Sequence, residues 1–71
     1  MDNQFNSGIT GTDLRHKIIS LLKRGPYMQA EVWKYCRPST MEAVDQMLWR
    51  MEANGTIRYL PAVGLWQLVG Q

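Results

Sequence analysis

Cys36 and His16 are the two side chains in this 71-residue sequence best suited to covalent or metal chemistry, and each occurs once. A catalytic thiolate needs a base within hydrogen-bond reach. A structural zinc needs four ligands, supplied by closely spaced Cys and His pairs. One Cys and one His far apart in the chain offer neither. His16 stands between Arg15 and Lys17 and reads as an exposed basic residue. Cys36 reads as a small buried apolar side chain. No Gly-rich phosphate loop and no nucleophile–base pairing is present. A domain this short has little room for a formed pocket. The expectation is therefore a protein that is not an enzyme, with no cofactor, no metal and no small-molecule substrate.

The remaining chemistry is that of charge and apolar surface. Eight Lys and Arg oppose six Asp and Glu, for a net charge of +2, which permits nucleic-acid binding without demanding it. The charge is unevenly spread. Residues 1–37 carry Arg15, Lys17, Lys23, Arg24, Lys34 and Arg37 against Asp2, Asp13 and Glu31. Residues 38–71 carry Arg50 and Arg58 against Glu42, Asp45 and Glu52. The first segment is thus basic and the second slightly acidic.

An apolar fraction of 45% and a charged fraction of 20% describe one small folded domain rather than a disordered chain. A single Cys forbids an internal disulfide, so stability rests on helix packing, on large aromatic side chains, or on a partner chain. An unpaired Cys suits a reducing compartment. The first residues lack the charged start and apolar middle of a secretion signal, and no apolar run approaches a membrane span. These features predict a cytoplasmic protein without a membrane partner.

Several elements would position the functional side chains. Residues 1–11 read as a flexible arm, and residues 12–71 as the domain. Residues 12–24 read as a helix with Thr12 as N-cap, with Leu14, Ile18, Leu21 and Leu22 on its buried stripe and Gly25-Pro26 as its stop. Residues 28–36 read as a second helix, burying Val32, Trp33 and Cys36 and ended by Pro38. Residues 40–53 read as a third helix. Ser39 and Glu42 would form its capping box, Val44, Met47, Leu48 and Met51 its apolar stripe, and Asn54-Gly55 its stop. Met28 and Met41 are grouped with Met47 and Met51 as core filler, and Asp45 reads as a solvated helix residue. Residues 56–60 and 65–69 read as strands of a hairpin turning at Pro61-Ala62-Val63-Gly64. Ile57, Tyr59, Trp66 and Leu68 would face the helices. Leu60, Leu65 and Val69 would then lie on the outer face, extended to the tip by Ala62 and Val63. Trp49 falls off the apolar stripe of the third helix.

The order of these elements resembles the winged helix-turn-helix superfamily. So does the passage Leu48-Trp49-Arg50-Met51-Glu52-Ala53-Asn54-Gly55-Thr56-Ile57-Arg58, which is similar to that family's run from recognition helix to wing. Gln29-Ala30-Glu31-Val32 is similar to the start of its second helix. The resemblance implies an α+β fold, with three helices followed by a two-stranded antiparallel hairpin wing. It further implies a small dimeric regulator of transcription, of bacterial or phage type, that binds double-stranded DNA. A helix fits the major groove while neighbouring elements hold phosphates. Mapped onto this sequence, Gln46, Trp49 and Arg50 would approach bases, and Arg15, Lys17, Lys34, Arg37 and Arg58 would hold phosphates. The chain departs from the pattern at the apolar wing tip, at the two carboxylates of the third helix, and at Arg37-Pro38 between helices two and three. These departures support an alternative, a winged-helix protein-interaction module. It would contact a protein partner or a second copy through Trp49, Leu60, Val63, Leu65 and Val69.

Overall fold

Leu14, Ile18, Leu21 and Leu22 recur at helical spacing and are all buried, on a first helix, α1, spanning Gly11–Leu22. The computed structural model describes residues 11–70. The expected arm therefore lies outside the described residues, save for Gly11, which belongs to α1. Thr12 also lies inside α1 and is not its N-cap. The chain leaves α1 through Gly25, whose φ of 140° is open to glycine and unfavourable for side-chain-bearing residues.

Tyr27–Met28 forms a short strand, β1, that the hydrophobic pattern does not reveal. The second helix, α2, then covers Gln29–Tyr35, starting after Met28 rather than including it. Its Val32 and the following Cys36 are buried, with Trp33 half-buried against the core. The third helix, α3, spans Met41–Ala53 and buries Val44, Leu48 and Met51. It ends in two paired backbone bonds, Thr56 N–H to the Met51 carbonyl at 2.9 Å and Gly55 N–H to the Glu52 carbonyl at 3.0 Å. This is the Schellman arrangement, and Gly55 supplies the positive φ of 80° it requires.

Ile57–Leu60 (β2) and Leu65–Leu68 (β3) form the expected hairpin, with Tyr59 opposite Trp66 and Leu60 opposite Leu65. β1 pairs antiparallel with β3 through Tyr27 opposite Trp66 and Met28 opposite Leu65. The wing is thus one part of a three-stranded sheet in the order β1-β3-β2, not an isolated two-stranded ribbon. Alternation along each strand places Tyr27, Ile57, Tyr59, Trp66 and Leu68 on the inner face, against the helices. Ile57 and Trp66 are buried there and Leu68 packs on the core, whereas Tyr59 remains exposed and meets Trp66 at a ring-centroid distance of 5.0 Å. The result is an α+β globule of three helices and a three-stranded antiparallel sheet, consistent with winged-helix-like topology. Among the described residues, no helix is long and apolar enough to cross a membrane.

Candidate nucleic-acid interface

The inner face of α3 is fixed by Val44, Met47, Leu48 and Met51. With about 100° of turn per residue, Glu42, Gln46 and Trp49 fall on the opposite side. All three are exposed, Trp49 to 68%. Arg50 is also exposed, one residue further round toward a flank of the helix.

The N-terminus of α3 is held by Thr40, whose Oγ1 accepts the Ala43 N–H at 3.1 Å. This replaces the expected pairing of Ser39 with Glu42. Ser39 instead donates its backbone N–H to the Cys36 carbonyl at 2.9 Å, which keeps it in the preceding turn. The cap sits one residue later than the pattern suggested, so Glu42 lies too early in the helix to reach back to it. The Glu42 side chain has no hydrogen-bond partner among the described residues. A reciprocal contact of that kind occurs on α2 instead, where Glu31 Oε1 accepts the Met28 N–H at 3.0 Å.

Asp45 is not a solvated residue. One carboxylate oxygen, Oδ1, accepts from Gln29 Nε2 at 2.6 Å and from Trp33 Nε1 at 2.8 Å. Gln29 and Trp33 are four residues apart on α2 and so share a face. The carboxylate draws that face onto α3 and is half-buried between the helices. Sequence reasoning missed this group. Its signal was an amide and an indole at i and i+4, but nothing local pointed them at Asp45.

The basic residues fall into two sets. Arg15, Lys17 and Arg58 carry structural bonds: Arg15 donates to Thr56 Oγ1 at 3.4 Å, Lys17 Nζ to the Arg37 carbonyl at 3.1 Å, and Arg58 Nε to Gln67 Oε1 at 3.2 Å. These bonds tie α1 to the root of the wing, α1 to the turn between α2 and α3, and one wing strand to the other. Lys34 and the Arg37 side chain are exposed. Lys17 and Arg37 are therefore brought together beside the turn that precedes α3. Cys36 lies buried at the same turn, its thiol pushed above its ordinary pKa by desolvation, against a smaller lowering by Lys17.

The outer face carries an apolar row that extends beyond the hairpin, and the hydrogen-bonded Arg58–Gln67 pair on the same face separates this row from Val69. Register places Met28, Leu65 and Leu60 in a row across all three strands. Met28 is 49% exposed, while Leu60 and Leu65 are half-buried. Val63 at the tip is 62% exposed and Val69 is exposed beyond β3. Met28 and Met41 are thus surface residues, not core filler. Among the described residues, no group of His, Cys, Asp and Glu is placed to hold a metal ion. Compared with known proteins, the chain matches no protein-family model, no curated protein and no solved structure.

Proposed function

We propose that this chain is a winged-helix DNA-binding protein that regulates transcription as a dimer. In this reading α3 enters the major groove, and the β2–β3 hairpin and the turn before α3 touch the phosphates on either side. The element order, with β1 joined to the wing through β3, supports the fold part of the proposal. The observation that carries the functional part is the disposition of α3. The Asp45 carboxylate is taken up by Gln29 and Trp33, which leaves Gln46 and Trp49 on the outward face with Arg50 at its flank. Lys34 on α2 and Lys17 with Arg37 at the turn before α3 supply positive charge, as do Arg15 beside Thr56 and Arg58 on the outer face of the sheet.

Binding to random duplex DNA over a series of salt concentrations tests this. A phosphate-binding protein loses affinity steeply as salt rises, because bound counterions are released. Such a fall supports the reading, and no binding at low salt overturns it.

A second reading, a protein-interaction module, is favoured by one specific observation. The row Met28–Leu65–Leu60 crosses all three strands, Val63 is exposed at the tip, and Trp49 is exposed separately on α3. The two readings are compatible if the apolar row joins two copies and α3 faces DNA, in which case Arg58, on the face of Leu60 and Leu65, belongs to the contact between copies and not to a phosphate.

A further inference from the structure

We infer that α3 reads a short base sequence through three outward side chains: cytosine through Glu42, adenine through Gln46 and a thymine methyl through Trp49. The inference rests on the DNA-binding reading and adds the identity of the bases. Two carboxylates on a groove-facing helix would ordinarily argue against binding a polyanion. The structure divides them. Asp45 is held by α2, and Glu42 is released from capping because Thr40 performs that task. Glu42 is thus the one carboxylate of the pair left on the outward face, in a row with Gln46 and Trp49.

Two base groups donate in the major groove, the cytosine N4 and adenine N6 amino groups; a carboxylate favours cytosine, because the adenine N7 acceptor beside N6 repels it. A glutamine amide matches the N6 and N7 edge of adenine with two hydrogen bonds. The indole of Trp49 offers an apolar surface of the kind that contacts the thymine methyl. Arg50, off this row, is left for a phosphate. The spacing suits the duplex. Along the helix axis Glu42 and Gln46 are about 6 Å apart and Gln46 and Trp49 about 4.5 Å apart. Base pairs stack every ~3.4 Å. A helix lying in the groove is inclined to the duplex axis, so side chains three or four residues apart meet successive base pairs, and the cytosine, adenine and thymine positions are neighbours in that order.

The test is selection of bound sequences from a pool of randomised duplexes by the full chain, followed by affinity measurements on Glu42→Gln and Gln46→Ala. The expected result is enrichment of a cytosine position next to an adenine position. Glu42→Gln should then lose about tenfold discrimination for cytosine, while its affinity for random duplex stays equal or rises because a negative charge has gone. Gln46→Ala should lose preference at the adenine alone. Salt-dependent binding with no such enrichment overturns this inference and leaves the DNA-binding reading standing. A uniform loss of affinity in Glu42→Gln on all sequences also overturns it. Absence of any duplex binding at low salt overturns both.

Discussion

The indole N–H of Trp33 on α2 donates to the carboxylate of Asp45 on α3 at 2.8 Å, and Gln29 donates to the same oxygen. This bond joins α2 to α3 alongside the shared core that holds Val32, Cys36, Val44 and Leu48. It adds a polar tie to the packing of α3 on α2, while the outward face of α3 follows from its buried stripe Val44, Met47, Leu48 and Met51. Asp45→Ala would leave two half-buried donors unpaired. Hydrogen bonds to a charged acceptor contribute roughly 1.5–3 kcal/mol. We expect the unfolding free energy of Asp45→Ala, read from urea denaturation, to fall by an amount in that range, with a lower midpoint and the denaturant slope unchanged. Asp45→Asn keeps the acceptor oxygen and should lose about half as much.

How far this arrangement was legible in the sequence depends on the range of the interaction. The stripes Leu14–Ile18–Leu21–Leu22 and Val44–Leu48–Met51 are periodic, and helical period alone identifies them. The stop at Asn54-Gly55 and the hairpin turn at Pro61-Ala62-Val63-Gly64 are equally local. β1 was not legible, because two residues carry no alternation and Tyr27–Met28 become a strand only by pairing with β3. Asp45 was not legible because its partners lie on another helix. The cap of α3 was misplaced by one residue because Ser39 and Thr40 are both competent, and the preceding turn claims Ser39. The outer apolar face was anticipated for Leu60, Leu65, Val63 and Val69, and only its third strand was missed.

Gly55 occupies the left-handed position after α3, with open space where a Cβ would stand. Any loss on substitution there is therefore backbone strain rather than collision. Gly55→Ala should destabilise the protein by about 1–2 kcal/mol. Gly55→Asn should cost less, since Asn tolerates this region. Thermal unfolding of the two variants checks the ranking, and an Ala variant as stable as the parent would contradict the Schellman assignment.

Trp66 is 4% exposed, and its indole N–H has no hydrogen-bond partner among the described residues. A buried unpaired donor carries a desolvation penalty of about 1–3 kcal/mol. Trp66→Phe removes the donor and keeps most of the ring against Tyr59. The recovered penalty should offset the lost packing, leaving a net change below about 1.5 kcal/mol. Trp66→Ala, with no such compensation beyond the donor itself, should cost about 3–5 kcal/mol. Chemical denaturation of the pair would show the gap between them.

The buried thiol of Cys36 gives a pH dependence whose sign is fixed. Desolvation raises its pKa in the folded state above the unfolded value near 9.0. Between the two values the folded state holds the proton and the unfolded state does not. Stability from this group is therefore complete below pH 9 and declines as pH rises through the folded pKa, by at most ~1.4 kcal/mol per pH unit. Cys36→Ala should flatten that decline at the expense of a small cavity. Thiol reagents at neutral pH should label Cys36 only at the rate of unfolding.

Val63 and Arg50 separate the two proposed surfaces. Val63 caps the apolar outer face at the wing tip, so Val63→Asp should convert a dimer to a monomer in sedimentation while leaving the fold intact. An unchanged mass would show that the wing is not the self-association surface. Arg50 stands at the flank of α3, where a phosphate contact adds one released counterion. Arg50→Ala should weaken binding to all duplexes alike and lower the salt slope by about one unit. The same substitution should leave the sedimentation of the free protein unaltered, because Arg50 lies on α3 and not on the outer sheet face. If Arg50→Ala instead changes the preferred base at one position and leaves the salt slope alone, its guanidinium reads a base edge. The assignment of the flank to phosphate would then be reversed.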